Sequence, residues 1–191
     1  MARTPSNMLP LGTKAPSFNL LDTKSDTYKT LDILRGSEGT LVAFICNHCP
    51  FVIHINDTLV AIANDYQARG INFIAISSND VENYPQDGPD KMKLQAQNTG
   101  YPFPYLYDKT QETAKAYDAA CTPDFYLFDR NLELIYRGQM DSSRPGNGLD
   151  VNAEDLKHAM DCLLTHTPNK IPQKPSIGSV SYTHLTLPTK P

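Results

Sequence analysis

The feature that most constrains this chain is Cys46-Asn47-His48-Cys49, a tetrapeptide lying between two segments of different period. Before it, Thr40-Leu41-Val42-Ala43-Phe44-Ile45 is a continuous apolar run, as in a strand buried on both faces. After it, over residues 50–69, Val52, Ile55, Leu59, Ile62, Ala63 and Tyr66 recur at helical spacing. Gly70 then stands where a C′ residue would end the helix. Pro50 suits the first helical position, where its missing N–H costs nothing, so Cys49 falls at or next to the N-cap. Unpaired N–H groups and the helix dipole favour an anion there. The thiolate is the reactive form of cysteine, and such a position lowers a thiol pKa from about 8.5. His48, as a cation, would add a further stabilising charge.

The rest of the chain supplies a frame for that junction. Ile71-Asn72-Phe73-Ile74-Ala75-Ile76 is the next strand, and a strand, helix and strand in sequence imply a parallel pair joined by a right-handed crossover. A polar loop follows over 77–90, then a short helix over about 91–98 and another over about 111–119, which Thr110 is expected to cap. Asp124-Phe125-Tyr126-Leu127-Phe128 and Leu132-Glu133-Leu134-Ile135-Tyr136 flank Asp129-Arg130-Asn131 and read as an antiparallel hairpin. Asn152 with Asp155 opens a last helix whose apolar face carries Leu156, Met160, Leu163 and Leu164; Cys162 falls off that face. The order β-α-β-α-β-β-α, with an N-terminal extension, predicts an α/β fold in which helices cover both faces of a central mixed sheet.

Composition narrows the function. A chain of 191 residues suits one domain. Its net charge of −4, with no Lys or Arg block, gives no electrostatic footprint for a nucleic acid or an anionic membrane. No apolar run approaches the roughly 20 residues of a membrane span. Residues 1–16 contain no apolar core of a secretory signal, so a cytoplasmic location is expected. Four cysteines are too few for a disulfide scaffold, and in a reducing compartment they point to redox or metal chemistry. Zinc is the rival: Cys46, His48 and Cys49, with Cys121 as a fourth ligand, are residue types that bind it.

The second chemical element is Ala120-Cys121-Thr122-Pro123-Asp124-Phe125, a proline at the start of an apolar run. With this pair of elements the chain resembles the thioredoxin superfamily. It is closest to the peroxiredoxin-like AhpC/TSA branch. The residues that carry that likeness are 44–52 around the cysteines, Ser78-Asn79-Asp80-Val81-Glu82-Asn83-Tyr84-Pro85, residues 121–125 and Asp141-Ser142-Ser143-Arg144-Pro145-Gly146. The resemblance spans about residues 9–178 and implies a thioredoxin-like fold. It also implies a cis Pro123 facing the cysteines, and a Thr122 whose backbone bonds a sulfur substrate. Two departures stand out. Ile45 occupies the place where a thioredoxin has Trp, and the chain has no Trp. In the register of a true peroxiredoxin, Cys49 takes the peroxidatic place and Cys46 the place of a Thr or Ser. The family's Arg position then falls close to Pro123, where this chain has none.

The expected activity is that of a thiol–disulfide oxidoreductase using the Cys46/Cys49 dithiol, with no bound cofactor and no metal. Its partners would be a protein or small-molecule disulfide and an electron donor of unknown identity. A thiol-dependent peroxidase acting on peroxide is one alternative, and a non-catalytic redox sensor or zinc-binding module is another. The helix start favours Cys49 as the nucleophile, whereas alignment of the two Cys-x-x-Cys motifs favours Cys46. His48, Pro50, Cys121, Thr122 and Pro123 are expected to line the site. Cys121 is a candidate third partner thiol. Asp80, Glu82, Tyr84 and Arg144 are weaker loop candidates. His54, His158 and His166 read as surface or tail residues, and Cys162 as a bystander.

The segment 179–191 looks foreign. Val180 to Leu185 is what the DNA string gtctcttatacacatct encodes, which is a transposon end used in sequencing libraries. The native sequence is therefore expected to depart from this one after Gly178, and the remainder to be read-through outside the fold. Resequencing the locus with a different library chemistry is expected to return another sequence from residue 179 onward; recovery of the same tail would overturn this.

Overall fold

Every residue of the strand before the cysteines is buried, which forces it to the middle of the sheet. The computed structural model describes residues 3–179. In chain order these form β1 (Arg3–Pro5), β2 (Asn19–Asp22), β3 (Thr27–Thr30), α1 (Leu31–Leu34), β4 (Gly39–Phe44), α2 (Pro50–Gln67) and β5 (Ile71–Ser77). A 3-10 turn (Pro85–Asp87), α3 (Pro89–Thr99), β6 (Tyr105–Tyr107), α4 (Glu112–Ala116), β7 (Asp124–Asp129), β8 (Leu134–Gly138), α5 (Glu154–Leu164) and β9 (Ile177–Ser179) complete the order. Strand β4 pairs in parallel with β5 and antiparallel with β7, within a seven-stranded mixed sheet of order β3-β2-β6-β5-β4-β7-β8.

Alternation along β4 divides the core in two. Leu41 and Ala43 face a cluster built with Val52, Ile55, Leu59 and Ile62 of α2, Met92 of α3 and Leu156 and Met160 of α5. Val42 and Phe44 face the other side, against Leu31 of α1, Ala114 of α4 and the rings of Tyr117, Tyr126 and Phe128. Phe44 and Tyr117 lie 5.5 Å apart between centroids. Each large apolar side chain removed from water in this way contributes about 1.5–3 kcal/mol. Helices on both faces of a central mixed sheet are the expected thioredoxin-like α/β architecture, and Cys46 and Cys49 belong to the first cluster.

Local details differ from the sequence reading. Helix α2 ends on Ala68 as C-cap, and Gly70 lies two residues further on with φ +90°. The N-cap of α4 is Gln111 in the left-handed region rather than Thr110, although the Thr110 hydroxyl still accepts the Glu112 N–H at 3.4 Å. Strand β6 and the β2–β3 hairpin have no strong signal: β6 is three residues long and follows Pro102 and Pro104. Cys162 is buried rather than off the packed face, with 9% exposure, and its sulfur lies 3.5 Å from Nε2 of His158. Strand β1 begins before residue 9 and pairs with β9, so residues 3–5 and 177–179 form a two-stranded sheet of their own. Of the segment 179–191, Ser179 alone is among the described residues, and it lies within β9 rather than outside the fold, because its backbone pairs with Arg3 and Thr122.

One buried acid has a consequence for stability. Asp124 opens β7 with no exposed surface, and its carboxylate accepts from Tyr126 Oη at 3.0 Å while Oδ1 has no hydrogen-bond partner. Burial raises its pKa to about 7, with the Tyr126 hydroxyl and the Ala120 N–H opposing. The folded chain thus holds this proton more tightly than the unfolded chain does. Stability from this group is complete below the ordinary carboxylate range and declines as pH rises toward 7. Asp124→Asn, which keeps an acceptor for Tyr126, is expected to raise denaturant stability at pH 8.5 by about 1–3 kcal/mol and to leave it little changed at pH 4.5. Equal effects at the two pH values would refute this.

Candidate active site

The site begins where β4 gives way to α2. Pro50 occupies the first helical turn and Cys49 is the N-cap, its carbonyl accepting the N–H groups of Val52 at 3.0 Å and Ile53 at 2.9 Å. Cys46 and Cys49 are free thiols with 1% and 0% exposure. Thr122 lies against both: its hydroxyl is 3.4 Å from Cys46 Sγ, and its carbonyl accepts the Cys49 S–H at 3.2 Å. The Thr122–Pro123 peptide is cis. Strand β9 covers the other edge of Thr122. The backbone N–H of each of Thr122 and Ser179 donates to the other's carbonyl at 3.1 Å, and Ser179 Oγ lies 3.4 Å from Cys49 Sγ. Gly178 makes this approach possible, because a Cβ there would meet the Thr122 carbonyl oxygen at 2.0 Å.

The two sulfurs differ in charge preference. Cys49 has its pKa pulled down to about 5, chiefly by the hydrogen bond from the Cys46 thiol, with help from Ser179, Thr122 and the Val52 N–H against the cost of burial. Ionisation forfeits the S–H bond to the Thr122 carbonyl, and the donors outweigh that loss. Cys46 is pushed well above the ordinary thiol range, first by donating to Cys49, then by burial and by the nearby Asp87 carboxylate. Cys121 is also pushed up, by burial, and donates to the Pro123 carbonyl at 3.7 Å. Cys121 therefore adjoins Thr122 in the chain, but its hydrogen-bond partner is the Pro123 carbonyl and neither of the other two sulfurs.

Asp87 is the residue the sequence did not reveal. It sits at the end of the 3-10 turn with no exposed surface. Its Oδ1 accepts the backbone N–H groups of Asn47 at 2.8 Å and His48 at 3.3 Å. Its Oδ2 accepts His48 Nδ1 at 2.5 Å and Asn79 Nδ2 at 2.6 Å. Asn47 is held further by Tyr105, whose hydroxyl donates to Asn47 Oδ1 at 3.0 Å, and by its own amide donating to the Gln86 carbonyl at 2.7 Å. Tyr84 stacks on the His48 ring, centroids 4.7 Å apart and planes 7° apart. Ligand-type atoms of Cys46, His48 and Asp87 lie within 4.8 Å of one another. Both carboxylate oxygens already receive two N–H donors each, so the arrangement is that of a hydrogen-bonded clamp rather than a ligand set.

The remaining candidates separate by position. Tyr84 is in the site. Asp80 instead caps its own loop, accepting from Glu82 and Asn83. Arg144 and Pro123 share the wall of a small cavity of about 20 Å³ beside Phe51 of α2, so a cation stands near Pro123 from a different loop. Its guanidinium is engaged largely by the carbonyls of Asp141 and Ser143 and by Gln139. His54 borders the same cavity and has a partner, Ser143 Oγ at 2.7 Å. Asp87 falls inside a segment that reads as polar loop, where an acid three residues after a tyrosine carries no distinguishing period.

A thiol pair at a strand-to-helix junction, facing a proline-led strand of a mixed sheet, defines a thioredoxin-like protein. Residues 11–137 match the model of the AhpC/TSA family, and the chain belongs to that family. It is similar to an uncharacterised conserved protein of Geobacillus kaustophilus, with 53% identity over 95% of this chain and 96% of that one and a TM-score of 0.93. A hypothetical protein of Sinorhizobium meliloti is 44% identical over 93% and 97% of the two chains, with a TM-score of 0.90. The thioredoxin domain of a thiol-disulfide oxidoreductase from Bacteroides vulgatus shares the fold at 16% identity, with a TM-score of 0.58 over 69% and 89%. Comparison with curated proteins gives no match. Family membership supports a redox function. Among the described residues no helix is long and apolar enough to cross a membrane.

Because the Cys49 pKa is lowered, its thiolate persists down to about pH 5 and is lost below that. Alkylation of the reduced protein at Cys49, followed by peptide mass spectrometry, is expected to retain most of its pH 7 rate at pH 6. A rate that climbs only above pH 8 would show an unperturbed thiol.

Proposed function

We propose that this protein is a thiol–disulfide oxidoreductase working through the Cys46/Cys49 dithiol. The observation that carries the reading is the unequal pair: both thiols lie on Thr122, but Cys49 is the helix N-cap and is held below the ordinary thiol range, while Cys46 is pushed above it. One sulfur is thereby prepared as a thiolate and the other keeps a proton. The Cys49 thiolate attacks a disulfide R–S–S–R′, forming Cys49–S–S–R and releasing R′S⁻. Cys46, after losing its proton to solvent, attacks Cys49 Sγ. This closes the Cys46–Cys49 disulfide and releases RS⁻. A reductant of the thiol class returns two electrons for the next cycle.

Thr122, Pro123 and Pro50 support this reading as lining residues, since Thr122 touches both sulfurs and Pro50 sets the helix start. Cys121 is a neighbour of the site rather than a member of the exchanging pair. Free, reduced thiols suit a cytoplasmic setting, and residues 9–178, with β1 and Ser179 paired at their edge, constitute the working domain. The substrates are protein or small-molecule disulfides.

Cys46→Ser with Cys49→Ser is expected to abolish reduction of a model disulfide such as oxidised glutathione or a dithiobenzoate. Cys46→Ser alone is expected to trap the Cys49 mixed disulfide. Wild-type rates in the double variant would refute the reading. Rapid oxidation by hydrogen peroxide, with a dimedone-trapped sulfenic acid at Cys49 and no disulfide reduction, would replace it with a peroxidase.

A further inference from the structure

Two sulfurs that share one neighbour, Thr122, need not hold their protons alike, and the surroundings of each decide which is favoured as the thiolate. Cys49 has the helix start, the Val52 N–H and the Ser179 hydroxyl on its side. Cys46 has the Thr122 hydroxyl, His48 Nδ1 at 4.0 Å and, with the ring, the Asp87 carboxylate inside 4.8 Å. The clamp beneath the loop thus lies on one side of the pair. Its four donors are two backbone N–H groups of the loop itself, the His48 ring and the Asn79 amide.

We propose that Asp87 is the positioning residue that assigns the two sulfurs their roles. Its carboxylate fixes the backbone of Asn47 and His48 and sets a negative charge beside Cys46, so that Cys46 keeps the proton and Cys49 is the thiolate. The inference rests on the dithiol reading above and deepens it. It also reverses the part expected of His48. With Nδ1 held by Asp87, the imidazole is oriented by the carboxylate, and the carboxylate rather than a free imidazolium sets the asymmetry.

Charge at Cys46 comes from few sources. Besides Asp87, the titratable groups around it are the His48 imidazole, which Asp87 itself holds, Cys49, and the buried phenols of Tyr101 and Tyr105, both of which burial holds neutral far above pH 7. Removing the Asp87 charge therefore acts on Cys46 with nothing of the same sign to replace it. The Asp87→Asn change also has a way to fit. Asn79 Oδ1 is buried without a partner, so the Asn79 amide can turn over and accept from the side-chain N–H that the substitution introduces. The introduced amide oxygen can still accept from the loop.

The test is competitive alkylation of the fully reduced protein by iodoacetamide at pH 6.5, with the labelled cysteines counted by peptide mass spectrometry. In the wild type Cys49 is expected to label at least about tenfold faster than Cys46, one pKa unit being a factor of ten. In Asp87→Asn the Cys49:Cys46 ratio is expected to fall about tenfold, with label appearing on Cys46. A folded Asp87→Asn protein that keeps the wild-type ratio overturns the inference. Should that variant not fold, His48→Ala carries the test, because it leaves the carboxylate in place. Its ratio is then expected to hold or rise, and a fall toward equal labelling would show that the imidazole sets the asymmetry. Failure of the dithiol reading looks different: Cys49 would then be inert in the wild type as well.

Discussion

Two thiols withheld from water can react only through groups that the fold itself supplies. At the end of β4 the apolar run continues into Ile45 and Cys46, so the chain reaches its first sulfur while still inside the core. Three residues later Cys49 is an N-cap, where backbone N–H groups face outward along the helix axis. The loop between must turn a buried strand into a buried helix with its polar backbone satisfied. A desolvated N–H without a partner costs about 1–3 kcal/mol, and this loop presents two that point away from any helix or strand. Asp87 accepts both. The carboxylate that stabilises the turn is therefore also a charge set beside Cys46.

The opposite wall follows the same logic. Thr122 offers a hydroxyl to one sulfur and a carbonyl to the other, while its own N–H and carbonyl are occupied by β9. A β-branched residue with a hydroxyl suits this place, since it fills the space between the sulfurs and presents a group able either to donate or to accept. Gly178 lets β9 lie flat against it. The two walls come from segments far apart in sequence, and the central position of β4 between β5 and β7 is what brings them together.

Much of this frame is readable from the chain. The apolar run 40–45, the helical spacing after Pro50 and the Thr122–Pro123 pair each carry a local signal, and they lead to the observed sheet and to the facing of Cys46 and Cys49 by Thr122. What is not readable shares one physical cause. Asp87, Asn79 and the contact of Ser179 with Cys49 act through tertiary distance, and their residue types are those of ordinary polar loops. Cys162 departs from its expected place for a related reason: α5 is packed by the segment around Pro168 as well as by the sheet, so burial extends beyond the periodic stripe. The cap of α4 escapes because Gln111 adopts a left-handed backbone, which propensity does not anticipate for glutamine.

On the dithiol reading, the same hydrogen bonds also set the direction of electron flow. The donors that favour the Cys49 thiolate exist for it only while the pair is reduced; a Cys46–Cys49 disulfide has neither the charge to stabilise nor the Cys46 S–H to give. Interactions confined to the reduced form make the disulfide easier to reduce, and so poise the pair as a stronger oxidant than an unperturbed dithiol. Burial opposes this by penalising the thiolate at either sulfur. Asp87 reconciles the two demands. By keeping the proton on the more deeply disfavoured sulfur it leaves a single charge in the site, placed where the helix start can hold it. A pair of equal thiols in the same cavity would have to choose between two protonated, unreactive sulfurs and a charge with too few donors.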